Sequence, residues 1–357
     1  MSDTVLVTGG FGLVGSEAVK QLAGAGRRVI ATDLDRPAHR EKAEELKSTG
    51  VVVRWTDLTD PAAVDRLISD TAPAAIIHLA AMIPPPIYRH PKAARIVNVD
   101  ATASLVRAAE ALPVPPRFLQ ASSNAVYGSR NPHLHPDPVR ADTPPRPTDL
   151  YGGHKLEAEQ LVRASRLPWV VLRLGGVMSV NREDLKFTRD ALYFESTLPT
   201  DGRFHGVDVR DVATAFVAAT TADVVGEILL IAGDESHRLR QGEVGRMLAA
   251  ARGLRGVLPE GRPGNPDSED DWFITDWMDT GRAQEALSFQ HHSWPDMLAE
   301  MRARTGWKRY LMRPLVPFAR MYVKRQGAYY KSPGRYADPW GAIREKLGEP
   351  GLDTAES

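Results

Sequence analysis

The 357-residue chain predicts an α/β fold, a doubly wound parallel sheet with a small C-terminal substrate-binding cap. Three observations carry that expectation. Short β-branched runs alternate with longer helical patterns from the first residues. The strand runs are apolar on both faces, as in a sheet covered by helices on both sides. The first strand also runs directly into a glycine-rich turn that opens a helix. The chain exceeds the roughly 250–300 residues at which a single core stops growing, so a main domain with an appendage is expected.

Thr4–Thr8, Arg28–Thr32, Val51–Trp55, Ala74–Leu79, Arg117–Ser122 and Trp169–Leu174 read as strands. Helices with apolar residues at three- and four-residue spacing fall near 13–25, 38–48, 61–70, 92–111 and 149–165. After Gly175 the rhythm is lost over 176–206. A helix near 210–222, a strand at Glu227–Ala232, a helix near 241–252 and a Gly-, Pro- and Asp-rich loop at about 255–271 follow. The expected division is a core over 1–175 with a return segment at about 207–232, a cap over 176–206 and 233–300, and a tail over 301–357. Crevices between core and cap are preferred ligand sites, so substrate recognition is expected there.

Composition narrows the functions. Hydrophobic residues make up 43% and charged residues 25%, an ordinary globular balance. Lys+Arg and Asp+Glu are 45 each, so no global field recruits nucleic acid. The absence of cysteine excludes disulfides, thiolate metal sites and cysteine nucleophiles. His133, His135 and the pair His291-His292 have no acidic metal-ligand pattern nearby and read as solvated loop residues, so no metal is expected. No G-x-S-x-G elbow occurs. The N-terminus lacks a basic region followed by a long apolar run and cleavage site, and no stretch reaches a membrane span, so a cytoplasmic location is expected.

The glycine turn is Thr8-Gly9-Gly10-Phe11-Gly12-Leu13-Val14-Gly15, the G-x-G-x-x-G pattern of a Rossmann dinucleotide site in its strand-turn-helix setting. A side chain at Gly9 or Gly10 would obstruct the turn, one at Gly12 would hold a pyrophosphate off the backbone, and one at Gly15 would separate helix from strand. The helix N-terminus offers N–H groups and partial positive charge to that pyrophosphate. The second strand leads to Asp33, 18 residues after Gly15. A carboxylate there accepts hydrogen bonds from ribose hydroxyls and repels a 2′-phosphate, favouring NAD over NADP, with Arg36 softening the exclusion.

Further motifs follow in order: Asp57-Leu58 after the third strand, His78-Leu79-Ala80-Ala81 after the fourth, and Asn98 in a helix. Next come Ser122-Ser123-Asn124-Ala125-Val126-Tyr127-Gly128 after the fifth strand and Tyr151-Gly152-Gly153-His154-Lys155. Over roughly residues 4–235 the chain resembles the extended short-chain dehydrogenase/reductase family, the NAD-dependent epimerase/dehydratase group. The resemblance implies that Tyr151 is the general acid/base, Lys155 its partner and Ser123 the hydrogen-bond partner of the substrate oxygen. It places Asp57 and Leu58 beside the adenine, and Phe11, Leu13, Leu79, Ala80 and Asn98 around the cofactor. It also implies a homodimer through the helices near 92–111 and 149–165.

The residues support that chemistry independently. Oxidising a carbinol requires a base for the hydroxyl proton, and a phenol with a pKa of about 10 needs help. Lys155, four residues on, shares a helix face with Tyr151 and is expected to favour the phenolate. Ser123 lies at the carboxyl edge of a strand, where open α/β sheets bind ligands.

Departures from the pattern point to the reaction. Dehydratases of the family carry Thr-Asp-Glu or Thr-Asp-Asp where this chain has Ser123-Asn124-Ala125, so the carboxylates that eliminate water are missing. Nucleotide-sugar enzymes place Asn where Gly176 stands and Arg where Phe204 stands, with Arg203 one residue off, so two pyrophosphate contacts are lost. Arg182, Lys186 and Arg189 are substitute cations. The loop Met82-Ile83-Pro84-Pro85-Pro86-Ile87-Tyr88 reads as a stiff apolar wall. The expected function is oxidoreduction of a secondary alcohol or ketone on a small substrate, with sugar epimerisation by transient oxidation and non-catalytic NAD binding as alternatives.

From Met301 to Ala337 ten Lys or Arg occur without Asp or Glu, among seven aromatic residues. Because the whole chain is neutral, the remainder carries −10. An acidic cluster comprises Asp267, Glu269, Asp270, Asp271, Asp276 and Asp279. Three readings stay open for 301–337: peripheral contact with an anionic membrane, docking on the acidic segment of this or a partner subunit, or a merely solvated arm or one that contacts nucleic acid without specificity.

Overall fold

The computed structural model describes residues 3–181 and 188–353. Among them ten strands form: β1 (Thr4–Thr8), β2 (Arg28–Asp33), β3 (Val52–Trp55), β4 (Ala75–His78), β5 (Arg117–Ser123), β6 (Trp169–Leu174), β7 (Gly176–Met178), β8 (Arg203–Asp208), β9 (Ile228–Ile231) and β10 (Arg238–Arg240). Seven of these make a parallel sheet in the order β3-β2-β1-β4-β5-β6-β9. The order reverses direction between β1 and β4, which opens a crevice at the carboxyl ends of the strands.

Alternate residues of each strand serve opposite faces. Val5, Val7, Val29, Ala31, Ile77 and Leu119 pack with Val19 and Leu22 of the helix Leu13–Gly24 and with Phe216 of the helix Val209–Ala219. Leu6, Ile30, Ile76 and Phe118 point the other way, into Val64, Leu67, Leu105 and Val162. Each such buried side chain contributes about 1.5–3 kcal/mol, so the return helix Val209–Ala219 and β9 are held by the core rather than by the cap. The expected strands and helices appear within one to three residues of their places, the helix expected to run to 222 ending at Ala219. The long helix near 92–111 is subdivided: Pro91–Arg95, a π-helical stretch Ile96–Asp100, and Ala101–Glu110.

The stretch expected to be irregular after Gly175 contains β7, the helix Arg189–Thr197 and β8. With β10 these strands form a second sheet, β8 running parallel to β7 and antiparallel to β10. Arg182 and Lys186 lie outside the described residues.

Residues 301–357 divide. The helix Val316–Gln326 lies on the surface, whereas the chain from Ala328 to Asp353 returns across the helix Leu150–Ala164. The Tyr193 hydroxyl donates to the Ala342 carbonyl at 2.9 Å, the Leu150 amide to the Pro350 carbonyl at 2.8 Å, and His154 Nε2 meets Asp353 Oδ2 at 2.7 Å. Ile343 and Leu347, in and just after the helix Pro339–Lys346, are fully buried.

Intramolecular docking of the basic stretch on the acidic cluster is replaced by other pairings. Asp276 binds Arg130 and Arg203, Glu269 binds His135, and Asp270 binds Arg146. His135 and His292 are also engaged rather than solvated, the latter with Asp211 at 2.6 Å.

Candidate active site

The dinucleotide cradle is built from the turn after β1. Gly9 has φ +64°, in the left-handed region, and a Cβ there would lie 2.8 Å from the Ala80 amide nitrogen. At Gly15 a Cβ would stand 2.0 Å from the Gly9 carbonyl oxygen, so this glycine closes the turn on itself. Gly10 packs against Ala31 of β2, whereas Gly12, the N-cap of the helix Leu13–Gly24, is exposed. Leu13, the first helical residue, is half-buried. The Asp33 carboxylate accepts from the Phe11 amide at 3.2 Å and the Leu34 amide at 2.9 Å. His39 Nδ1 also stands 3.3 Å from Oδ1, and since a carboxylate has about four acceptor sites, capacity remains for a ribose hydroxyl. Arg36 is exposed. Phe11 is buried and its ring stands 5.3 Å from Trp55. These residues fit NAD, with the glycine turn for the pyrophosphate and Asp33 for the adenosine ribose.

Other expected cofactor neighbours sit at the same strand ends. The amides of Leu79 and Ala80 approach Thr8 Oγ1 at 3.3 and 3.5 Å. Asp57 is exposed and accepts from the Thr59 amide and hydroxyl, and Leu58 packs on the sheet's second core cluster. Asn98, in the π-helical stretch, accepts from the Met82 amide at 2.7 Å and donates to the Met82 carbonyl at 2.9 Å. Its buried amide thus fixes the loop after β4. π-Helical turns often mark functional sites.

Ser123 at the end of β5 donates to Asn124 Oδ1 at 3.3 Å and accepts from the Ala125 amide at 3.2 Å, and its hydroxyl lies close enough to Tyr151 to act on the phenol. Asp149 caps the helix Leu150–Ala164, accepting from the amides of Gly152 at 2.9 Å and Tyr151 at 3.3 Å, so the cap fixes the start of the helix that presents the phenol. Lys155 lies one turn on, its ammonium 5.8 Å from the Tyr151 ring centre and donating to the Ala121 carbonyl at 2.9 Å. Burial is the largest influence on the phenol and pushes it above its ordinary value; the Ser123 hydroxyl pulls it back and the Asp149 carboxylate pushes it further up. The expectation that the phenolate is favoured therefore does not hold for the site that this chain builds by itself. Burial also lowers Lys155, to about 8, against the opposing pull of Glu159.

Behind the site, Glu159 receives the Arg173 guanidinium at 2.9 and 2.7 Å and the Ser122 hydroxyl. Arg173 also donates to the Tyr127 hydroxyl at 2.8 Å. His78 bridges Thr8 and Thr102, and burial, then Lys155, lowers it to about 3, so it is neutral.

The surroundings of the Tyr151 ring are apolar. Tyr151 packs in one cluster with Met82, Phe194, Phe273, Trp340 and the buried Ile343. The Phe273 ring stands 5.6 Å from Phe194 and 5.4 Å from Trp340. The Tyr88 hydroxyl donates to Asp149 at 2.8 Å, tying the proline-rich loop to the helix of Tyr151. The departures at Gly176 and Phe204 are one feature: a Cβ at Gly176 would lie 2.0 Å from the Phe204 ring. Arg203 is stacked on Trp277 and donates to the carbonyls of His135 and Pro136, at 2.8 and 2.9 Å, and to Asp276 at 3.3 Å. The Arg189 guanidinium donates to the Tyr322 hydroxyl at 3.2 Å.

Sequence reasoning missed Asp149, the Tyr88 tether and the wall from Phe194, Phe273 and Trp340. Asp149 was readable as an Asp immediately before a helical run. The aromatic wall carries no local signal, because its members are separated by up to 146 residues in the sequence.

A glycine cradle on a doubly wound sheet, with Ser, Tyr and Lys grouped at its carboxyl edge, defines a short-chain dehydrogenase/reductase. The chain belongs to the NAD dependent epimerase/dehydratase family, whose model matches residues 5–232. NAD is the cofactor of that family. The chain is 33% identical over 171 residues to methionine adenosyltransferase 2 subunit beta of Bos taurus, covering 48% of this chain and 46% of that protein. It is 31% identical over 193 residues to D-erythronate dehydrogenase of Cupriavidus necator, covering 48% and 56%. The matches thus span about half the length of these curated relatives. Among solved structures, MoeE5 in complex with UDP-glucuronic acid and NAD is 28% identical, with a TM-score of 0.66 over 85% of this chain and 100% of that one.

Proposed function

We propose that the protein is an NAD-dependent oxidoreductase that interconverts a secondary alcohol and a ketone on a small, apolar substrate. One observation carries the reading: the wall beside Tyr151 is aromatic and aliphatic, while Arg203, the cation nearest the family's phosphate position in sequence, is bound to Asp276. Bound NAD supplies the hydride acceptor or donor. Ser123 and Tyr151 hold the substrate oxygen between them, and Tyr151 takes the carbinol proton or returns it. Lys155 sets the field at the phenol, and Asp149 holds the start of the helix in place. Met82, Phe194, Phe273 and Trp340 keep water from the reacting carbon.

The second reading is an epimerase that oxidises and re-reduces a sugar derivative, favoured by the likeness to MoeE5 in its UDP-glucuronic acid complex. Absorbance of reduced nicotinamide separates the two. Net accumulation with apolar secondary alcohols supports oxidoreduction; product from a nucleotide sugar without accumulation supports epimerisation. A third reading, an NAD-holding subunit without turnover, draws on the likeness to methionine adenosyltransferase 2 subunit beta and is opposed by the full Ser123, Tyr151 and Lys155 set.

We further propose a cytoplasmic location and, on the resemblance, homodimers through the helices at 91–110 and 150–164. That face carries the Arg95–Glu157 ion pair at 2.6 Å and an exposed Ile96. Sedimentation velocity tests it: a concentration-dependent dimer supports the pairing, and a monomer throughout removes it.

A further inference from the structure

The stretch from Trp307 to Gln326 turns its apolar side chains outward. In the helix Val316–Gln326, the half-buried inner face takes Val316, Ala319 and Val323, while Phe318, Met321 and Tyr322, spaced by three and four, are exposed. The preceding turns add Trp307, Leu311 and Leu315 to the same kind of surface, with Trp307, Leu311 and Phe318 exposed to 67%, 60% and 69%. A contiguous apolar surface rimmed by polar groups marks an interaction site in a water-soluble protein. Lys308, Arg309, Arg320, Lys324 and Arg325 are interleaved with it, and among the described residues none of the five belongs to an ion pair. Beside it opens a cleft of about 700 Å³ whose lining includes Arg255, Arg302, Arg309 and Tyr310.

We propose that this surface seats on an anionic phospholipid bilayer, with the apolar stripe in the headgroup boundary and the cleft taking a lipid phosphate. Charge selects this occupant. A second copy paired about a two-fold axis would face the same basic stretch with itself. Within the chain's own acidic cluster Asp276, Glu269 and Asp270 pair with Arg130, Arg203, His135 and Arg146, and among the described residues no ion pair joins the cluster to 301–337. A nucleic-acid backbone offers phosphates but nothing for Phe318, Met321 and Leu311. Bilayers offer both, and Trp and Tyr rings settle at their interface. No helix among the described residues is long and apolar enough to cross a membrane, so the contact is peripheral. Outside 301–337 the chain carries −10, which orients the basic face toward the lipid.

The helix Val316–Gln326 packs on the helix Arg189–Thr197, which supplies Phe194 to the wall beside Tyr151. A substrate dissolved in the bilayer would thus enter one helix away from the lipid. This last step rests on the proposed oxidoreductase function, whereas lipid binding is measured without turnover.

The test is flotation of the full-length protein with vesicles of phosphatidylcholine alone and of phosphatidylcholine mixed with phosphatidylglycerol. Binding to the mixed vesicles, weakened by salt, is expected. Each basic residue near an anionic surface contributes about fivefold in partition, so Arg320→Glu with Lys324→Glu lowers binding by about 25-fold or more. Phe318→Ser with Met321→Ser lowers it while NAD affinity and Tm stay at wild-type values. Failure to float with either vesicle overturns the proposal. Equal binding of wild type and the charge-reversed variant overturns it too, as does a surface that only self-associates or only retains an oligonucleotide.

Discussion

At the residue scale, the phenol of Tyr151 is set by the Asp149 cap at the start of its helix and the apolar cluster around its ring, with Ser123 beside it. Removing its hydroxyl removes the proposed proton carrier and leaves the packing. Tyr151→Phe is expected to lower kcat by about 10²–10⁴ with NAD affinity unchanged, and equal turnover in a steady-state assay would contradict the role. Asp149 gives a pH signature. Burial raises its carboxyl from the usual 3.8 to about 6. The folded protein holds this proton where the unfolded chain has lost it, so the contribution favours the fold below about pH 4 and is withdrawn as pH rises through about 6. Asn at this position keeps the cap acceptor without the charge. Between those pH values the wild type is expected to lose up to about 3 kcal/mol relative to Asp149→Asn, read by urea unfolding; parallel pH curves would contradict it. The glycine turn, Asp33 and the one-turn spacing of Tyr151 and Lys155 were readable from local geometry, whereas the roles proposed for Ser123, Tyr151 and Lys155 came from the resemblance. The direction of the phenol's shift was not readable, because it depends on burial by residues far away in the sequence.

At the scale of elements, the sheet and its covering helices were readable from periodicity, down to both ends of β1 and β6. The small sheet was not. β7 and β10 have three residues each, too short for a two-residue period to register, and β7 begins at a glycine paired with Gly206 of β8. That pairing explains why Gly176 and Phe204 depart from the family pattern together: the ring occupies the volume a side chain at 176 would need. Gly176→Asn is expected to destabilise the wild type and to be tolerated better beside Phe204→Ala, with a coupling of about 0.5–3 kcal/mol in a double-mutant cycle. Additive effects would show that the two positions are independent.

Across the whole molecule, the C-terminal sixth of the chain proves to be two things. Composition exposed its basic and aromatic character but could not reveal that residues 328–353 close over the helix of Tyr151, since this contact joins distant parts of the chain. Ile343 is fully buried there, so Ile343→Ala is expected to cost about 2–5 kcal/mol in chemical denaturation. Because its cluster includes Tyr151, the same change is expected to lower kcat/KM for substrate with NAD affinity unchanged; an unaltered kcat/KM would separate the segment from the site. The central claim, that Tyr151 works on a substrate held between an NAD cradle and an apolar wall, is tested most directly by a crystal structure of the protein with NAD. The pyrophosphate is expected on the turn from Gly9 to Gly15, the ribose on Asp33 and the nicotinamide beside the Tyr151 hydroxyl. A nicotinamide lying away from Tyr151, or no dinucleotide at that turn, would contradict it.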